Sequence, residues 1–135
     1  MAAVFQLDVL VACVPFFQGR CVSVIIPTVD GEYGVLAGHS NTVGAVCDGE
    51  LRFETEDGLT HRAAVAQGVF KIDGERMLLL LDAAERPEDI DINRALRARQ
   101  EAEEQLRQKH SMAEYQIAQG NLSRALNRLR VSGKM

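Results

Sequence analysis

The chain has 135 residues, of which 47% are hydrophobic and 25% are charged, a composition that is typical of a folded globular protein and excludes a largely disordered one. Its net charge of −4 gives no support to nucleic-acid binding. The three cysteines and three histidines are scattered without C-x-x-C spacing, so a zinc site, a redox motif and a secreted disulfide framework are not indicated, and we expect buried thiols in a reducing cytosol.

The chain begins with a predicted strand. Phe5, Leu7 and Val9 alternate with less apolar residues at the period of two that marks a half-buried strand. The apolar run Val9–Phe17 is too short to span a bilayer, which needs roughly 20 residues, and it lacks the basic flank of a signal peptide. We therefore expect a cytosolic protein that reaches a membrane only through a partner.

Further extended runs continue to residue 82. They are Cys21–Pro27, Thr42–Cys47, Glu50–Thr55, Thr60–Ala66, Val69–Ile72 and Met77–Asp82. Four Asp-Gly pairs lie between runs, at Asp30-Gly31, Asp48-Gly49, Asp57-Gly58 and Asp73-Gly74. Because glycine accepts the positive φ of tight hairpin turns, these pairs predict hairpins, and residues 1–84 are predicted to form an antiparallel β-sandwich or barrel.

The segment Pro27–Ser40 contains three glycines within eight residues and is predicted to be a loop. Glu32 and His39 stand at its edges. Such a loop is either an ordinary solvated connection or a docking loop, since exposed loops on a rigid scaffold often carry recognition. Both interpretations are open from the residues alone.

The pattern changes after Asp82. Pro87 suits the first turn of a helix, and Glu88, Asp89 and Asp91 suit its positive end. A first helix is predicted from there to Lys109, with an apolar stripe formed by Ile92, Ala95, Leu96, Ala102 and Leu106. Arg97 and Glu101 lie four residues apart on the opposite face, where we expect them to pair.

Residues Lys109–Ala113 are predicted to form a turn before a second helix. Its apolar stripe consists of Tyr115, Ala118, Leu122, Ala125, Leu126 and Leu129. Gly120 weakens this helix by about 1 kcal/mol relative to alanine. Two helices with narrow apolar faces and a short link predict an antiparallel hairpin over residues 85–135, a second domain that is marginally stable and able to detach.

The second helix is basic, because no acidic residue occurs from Tyr115 to Met135. Arg124 and Arg128 are one turn apart, and an anion facing them would relieve their mutual repulsion. On the first helix, Asp91 and Arg94 are also within one turn. This pattern is explained either by an anion site or by a solvated face with a local ion pair.

Motifs for nucleotide loops, serine hydrolases and zinc proteases are missing, so a non-catalytic role is favoured. A small β-sandwich enzyme, which would need converging titratable groups in a pocket, is the alternative that the residues themselves leave open.

Several segments together resemble the epsilon subunit of bacterial F-type ATP synthases. The segment Asp30–His39 resembles that family's G-E-x-G-x-x-P-G-H loop, and Phe5–Val9, Glu85–Asp91 and Ser123–Leu129 resemble its first strand, linker and second helix. The resemblance covers almost the whole chain and implies a β-sandwich followed by an α-helical hairpin.

This resemblance implies a rotor subunit that couples proton translocation to ATP synthesis and needs no cofactor. The sandwich would bind the gamma subunit and dock on the membrane ring of c subunits through Glu32, Gly38 and His39. The hairpin would extend toward acidic segments of the alpha and beta subunits and block ATP hydrolysis. The protein would lie at the cytoplasmic face of the cell membrane, held there peripherally.

Some members of this family bind a regulatory ATP through an I/L-D-x-x-R-A motif, and the resemblance implies the same site here. The matching positions are Ile90, Asp91, Arg94 and Ala95, with Glu85, Arg124 and Arg128. Two positions depart from the pattern: Glu101 stands where ATP-binding members carry arginine, and Ala37 where proline is usual in the docking loop. A free-standing ATP-sensing module of the same fold is the alternative function.

Overall fold

A computed structural model describes residues 3–108 and 111–133. The chain divides into two compact units, Met1–Glu85 and Arg86–Met135. The described part of the first unit contains nine strands, and that of the second contains a short 3₁₀ turn, Pro87–Asp89, and two helices. The strands are β1 (Phe5–Val11), β2 (Val14–Thr28), β3 (Gly31–Leu36), β4 (Thr42–Val46), β5 (Gly49–Thr55), β6 (Thr60–Val65), β7 (Gly68–Asp73), β8 (Arg76–Leu81) and β9 (Ala84–Glu85). The helices are α1 (Ile92–Arg107) and α2 (Met112–Ser132). The predicted fold class, a β-sandwich followed by a helical hairpin, is confirmed.

The long strand β2 joins the two layers of the sandwich. Its first half pairs with β1, and its second half pairs with β3 on one side and β5 on the other. A register irregularity between Cys21 and Ser23 marks the change, as expected where a strand bends from one sheet into the next. The strand order is β4-β7-β8-β1-β2-β5-β6-β9, with β3 on the free side of β2.

Alternating apolar side chains from both layers fill the interior of the sandwich. In β1, Phe5, Leu7 and Val9 are buried while Gln6 and Asp8 are not, so the predicted period of two is confirmed. The other fully buried members of this core are Cys21, Val24, Ile26, Val35, Leu51, Ala63, Met77 and Leu79. Burial raises the pKa of the Cys21 thiol to about 12.

Three sequence-based expectations about cysteines, turns and strand direction need correction. Cys13 is exposed and Cys47 is only half-buried, so only Cys21 is the buried thiol expected. Asp48-Gly49 is not a hairpin turn, because β4 pairs with β7 while β5 pairs with β2 and β6. The sandwich is also not purely antiparallel, since β1 and β8 pair in parallel. The other three Asp-Gly pairs do join antiparallel neighbours.

The hairpin between β1 and β2 has no glycine. Its two-residue turn is Ala12-Cys13, with φ values of 49° and 67°. Both residues adopt the left-handed conformation that such turns require and that residues with a side chain disfavour. The pairs Leu10–Pro15 and Val11–Val14 flank the turn, and a register irregularity follows between Val9 and Leu10. Its composition explains why the sequence did not predict it.

The segment predicted as the loop Pro27–Ser40 is mostly strand. Residues Gly31–Leu36 form β3, which lies antiparallel to the second half of β2. Val35 is buried and Tyr33 packs against the core, whereas Glu32 and Leu36 are exposed. This alternation is the ordinary strand pattern, obscured in the sequence by Gly31 and Gly34.

The helices of the second unit begin at side-chain caps. Asp91 accepts a hydrogen bond from Arg94 N–H at 3.0 Å, so α1 starts at Ile92 rather than at the predicted Pro87. Ser111 accepts from Glu114 N–H at 3.2 Å and starts α2 at Met112, so the predicted turn through Ala113 is too long. Its residues Lys109 and His110 lie outside the described residues.

The helices pack against each other through small side chains. The link between them is short, and the 3₁₀ turn before α1 also contacts α2, so the two helices run antiparallel as predicted. The buried residues are Ala95 and Ala102 of α1, and Ala118, Ala125, Leu129 and Val131 of α2. Tyr115, predicted in the apolar stripe, is exposed, and α2 is continuous through Gly120. Neither helix combines the length and apolar character needed to cross a bilayer.

Candidate functional site

The first predicted docking residue, Glu32, lies on the outer face of β3 and takes part in an ion pair. Its Oε2 accepts a hydrogen bond from Nη2 of Arg52 at 2.7 Å. Arg52 belongs to β5, two strands away, and its side chain reaches across β2 at Ile25, with which it pairs. Opposite Ile25 on β3 stands Gly34, whose missing side chain leaves this path open.

The ion pair of Glu32 extends into a ladder of four charges. Nη1 of Arg52 lies 3.6 Å from Oε1 of Glu50, and Glu50 accepts two hydrogen bonds from Arg62, from Nε at 3.1 Å and Nη2 at 2.7 Å. Hydrogen bonding to Glu50 is the main cause that raises the pKa of the Arg62 guanidinium. The ladder Glu32–Arg52–Glu50–Arg62 alternates in sign across the outer face of this sheet.

The other two docking residues, Gly38 and His39, form the turn that follows β3. Gly38 has φ +83°, where a side chain would be strained. The backbone N–H of His39 donates to Leu36 O at 3.2 Å and closes the turn.

Two hydrogen bonds orient the His39 ring. Nδ1 lies 2.8 Å from the carbonyl oxygen of Ser40, which can only accept, so the proton of a neutral imidazole belongs on Nδ1. Nε2 then accepts from the Tyr33 hydroxyl at 2.7 Å. Tyr33 is itself held by a ring contact with Phe70, at 5.7 Å between centroids.

Glu32 and His39 therefore have different surroundings. Glu32 and Tyr33 are adjacent in a strand and point to opposite faces. His39 is hydrogen-bonded to Tyr33, which faces the core, whereas Glu32 is hydrogen-bonded to Arg52 on the outer face. The sequence places these two residues in one predicted loop, whereas in the structure Glu32 lies on the outer face of β3 and His39 lies in the turn after β3.

The I-D-x-x-R-A segment lies at the start of the helical hairpin. Ile90 is buried, Asp91 is the exposed N-cap of α1, and Ala95 is completely buried. Arg94 is exposed, and its backbone rather than its guanidinium meets the Asp91 carboxylate. The anticipated Asp91–Arg94 ion pair is thus a capping hydrogen bond.

The remaining predicted nucleotide residues are divided between the two units. Arg124 and Arg128 lie in the second half of α2, and the antiparallel arrangement places that half beside the start of α1. Nη2 of Arg124 donates to Asn121 Oδ1 at 2.6 Å. Glu85 instead belongs to the first unit, where it ends the sandwich by pairing with Ala64.

The acidic departure from the family pattern, Glu101, is exposed on α1. The expected pairing of Arg97 with Glu101 is wrong among the described residues. The ion pairs on α1 join Arg99 to Glu103 at 3.7 Å and Arg107 to Glu104 at 3.5 Å. Glu101 is therefore left without an internal cation in the part of the chain that is described.

An apolar row crosses the outer face of the other sheet and was not predicted. Cross-strand pairing aligns Ala45, Val69, Leu80, Leu10 and Pro15 on β4, β7, β8, β1 and β2. Val69 is 49% exposed and Leu80 is 40% exposed. Such a continuous exposed row is typical of a protein interface. The residues were visible in the sequence, but their alignment depends on long-range pairing.

Two further observations concern a metal site and a surface recess. No group of three or more histidine, cysteine, aspartate or glutamate side chains within residues 3–108 and 111–133 is arranged to hold a metal ion. A recess of about 250 Å³ is lined by Val4, Phe5, Gln6, Arg20, Glu75 and Arg76, none of which is a predicted site residue.

Comparison with known proteins gives a consistent result along the whole chain. The family model for the β-sandwich domain of the ATP synthase delta/epsilon chain matches residues 4–87, and that for its long α-helix domain matches residues 88–133. The ATP synthase epsilon chain of Ruminiclostridium cellulolyticum is 44% identical over 98% of each chain. That of Caldicellulosiruptor saccharolyticus is 38% identical over 96% of this chain and 93% of the relative.

Two solved assemblies contain chains of the same fold. One is the Euglena gracilis mitochondrial ATP synthase OSCP/F1/c-ring, with a TM-score of 0.75 and 23% identity over 99% of this chain and 80% of the other. The second is the central stalk and c-ring of the Tetrahymena thermophila mitochondrial ATP synthase, with a TM-score of 0.69 and 8% identity over 97% and 98%. At these identities the likeness concerns the fold.

Proposed function

Because the chain belongs to the delta/epsilon family of ATP synthase subunits, we propose that it acts as the epsilon subunit, a non-catalytic part of the central stalk that couples proton translocation to ATP synthesis and restrains ATP hydrolysis. The observation that carries this proposal is the match of both family models, in order, over residues 4–133. The subunit then lies peripherally at the cytoplasmic face of the membrane, held there by the complex.

The apolar row on the outer face supports docking of the gamma subunit on the sandwich. Burying Val69 and Leu80 against a partner would remove exposed apolar area from water. Val69→Asp should therefore weaken the complex with gamma, measured by co-purification and calorimetry. Leu59→Asp is the control, because Leu59 is also an exposed apolar residue but lies in the β5–β6 turn. Stable binding of gamma by Val69→Asp would count against this docking face. If the unchanged chain stayed a monomer that never binds gamma, stalk membership itself would be refuted.

We assign docking on the c ring to the edge strand β3 and the turn after it. Glu32 offers an exposed carboxylate, and Gly38 gives the turn the backbone conformation that presents His39. Glu32→Gln should weaken binding of the purified ring, while Glu54→Gln, on strand β5 on the other side of β2, should not. Equal binding by both variants and the unchanged chain would exclude a role for the Glu32 charge.

The weakly packed hairpin supports the inhibitory role. Most of its buried side chains are alanines, and burial of each alanine methyl group contributes only about 0.8 kcal/mol to the free energy of packing. The helices can therefore separate at low cost. The basic second half of α2 suits acidic segments of the alpha and beta subunits. Truncation after Glu85 keeps β9 and removes both helices, and the reconstituted complex should then hydrolyse ATP faster. An unchanged rate would refute inhibition and leave coupling intact.

A regulatory ATP site at the start of the hairpin is the most specific part of the proposal. Arg94, Arg124 and Arg128 lie at the same end of the antiparallel pair and can supply guanidinium groups to phosphates. Isothermal titration of the full chain with ATP tests this, and absence of heat at millimolar ATP would refute it. Glu101→Arg should tighten binding, because it replaces an exposed acid that repels the triphosphate.

Asp91 has two proposed roles, capping of α1 and contact with the nucleotide, and one variant separates them. Asp91→Asn keeps the oxygen that caps α1 and removes the charge. If ATP binding uses only the capped helix, this variant should bind normally. If the carboxylate itself contacts the nucleotide, the affinity should fall while the helical content stays the same.

A further inference from the structure

The charge ladder on the sandwich changes how the docking carboxylate is presented. Glu32 is exposed on an edge strand, where an isolated glutamate side chain would sample several rotamers. Arg52 instead holds its Oε2 at 2.7 Å, while Oε1 has no hydrogen bond to residues 3–108 or 111–133. One oxygen is therefore anchored and the other is available to a partner.

Arg52 is itself held from its other side. Glu50 lies 3.6 Å away, its side chain is only 14% exposed, and Arg62 binds both of its oxygens. Bidentate pairs of this kind are the geometrically defined form of the interaction. Glu50, the least exposed member of the ladder, therefore helps to hold Arg52, which in turn holds Glu32 at the exposed end.

We propose that Arg52 is a positioning residue for docking: it orients the Glu32 carboxylate so that its outer oxygen accepts from a cationic or hydrogen-bond-donating side chain of the membrane ring. This inference rests on the docking role proposed for Glu32. Ordering a flexible side chain before binding removes a cost of association, which corresponds to about 3- to 10-fold in affinity.

Arg52 could also act in the opposite sense, and the sign of one measurement separates the two. A guanidinium beside Glu32 neutralises part of its charge and competes with a cation of the partner. If competition dominated, Arg52→Gln would tighten binding of the ring. If positioning dominates, Arg52→Gln weakens it by about 3- to 10-fold, and Arg52→Lys, which keeps the charge, recovers part of the loss.

The experiment uses the full chain in complex with gamma, titrated onto an immobilised, detergent-solubilised c ring. The variants are Glu32→Gln, Arg52→Gln, Arg52→Lys and the double variant Glu32→Gln/Arg52→Gln. Arg20→Gln, which removes an exposed arginine outside the ladder, controls for net charge. Thermal melts establish that each variant is folded.

The expected result is that the double variant binds no more weakly than Glu32→Gln alone, because Arg52 has nothing to position once the carboxylate is gone. Three results would each overturn the positioning role and leave Glu32 as a docking residue. They are tighter binding of the ring by Arg52→Gln, additive losses of affinity in the double variant, and a loss of affinity in Arg20→Gln equal to that in Arg52→Gln. If Glu32→Gln itself binds normally, both the docking role of Glu32 and the inference about Arg52 are wrong.

Discussion

Leu129→Ala should open the helical hairpin and leave the sandwich folded. Leu129 and Val131 are the largest fully buried side chains of the second unit, whose remaining interior is mostly alanine. The substitution removes three carbon atoms, about 2.4 kcal/mol at 0.8 kcal/mol each, and the cavity left behind raises the cost toward the range of about 2–5 kcal/mol for such changes. This corresponds to at least about a 50-fold increase in the opening equilibrium of the helices.

Hydrogen exchange followed by mass spectrometry measures that equilibrium separately for each unit. In Leu129→Ala, amides of α1 and α2 should lose protection by about 50-fold or more, while amides of β1, β2 and β8 should be unchanged. Leu79→Ala is the matched control, because Leu79 is equally buried but lies in β8 of the sandwich. It should lower the protection of the strands.

Loss of protection in strands and helices alike in Leu129→Ala would show that the two units unfold as one cooperative body, so that the hairpin could not act as a switch. Unchanged protection of the helices would show that the burial of Leu129 contributes little to their stability.

Three further predictions follow from local features. Replacing the turn residues by Ala12→Asn and Cys13→Gly should stabilise the sandwich by about 1 kcal/mol or more, because asparagine and glycine accept the left-handed conformation. Denaturant unfolding measures this change, and no gain in stability would mean that the turn is unstrained. Asp91→Ala should destabilise the hairpin by about 1 kcal/mol, whereas Asp91→Asn should not, because asparagine also caps the helix. Thermal melts followed by circular dichroism of the helices measure this, and equal melting temperatures for the two variants and the unchanged chain would exclude capping. The raised pKa of Cys21, about 12 against 9.0, means that the folded state holds the thiol proton more tightly, so stability should be full below pH 9 and fall toward pH 12. Cys21→Val should remove that part of the alkaline loss in urea titrations, and an identical pH profile would refute it.

Much of the local structure could be predicted from the sequence, and the reasons are local. The period of two in β1, three of the four Asp-Gly turns and the alanine stripes of the helices follow from interactions between residues close in the chain. The family resemblance is confirmed by models that match both units. The roles of Glu32, Gly38, His39 and the nucleotide positions stay predictions.

Two features were misplaced, each for its own reason. The glycine-rich segment around Gly34 was predicted as a loop because glycine has low strand propensity, yet it becomes β3 because β2 presents a free edge beside it. The helix start moved to Ile92 because a single aspartate cap outweighs the preference of Pro87 for a first turn.

Short-range patterns in the sequence set the local structure and the division into a strand-rich part and a helical part. Long-range folding creates the parallel pairing of β1 with β8, the apolar row across five strands, the Tyr33–His39 hydrogen bond and the Arg52–Glu32 ion pair. These depend on which distant strands become neighbours, and that choice is made by burial of the whole core rather than by any segment alone.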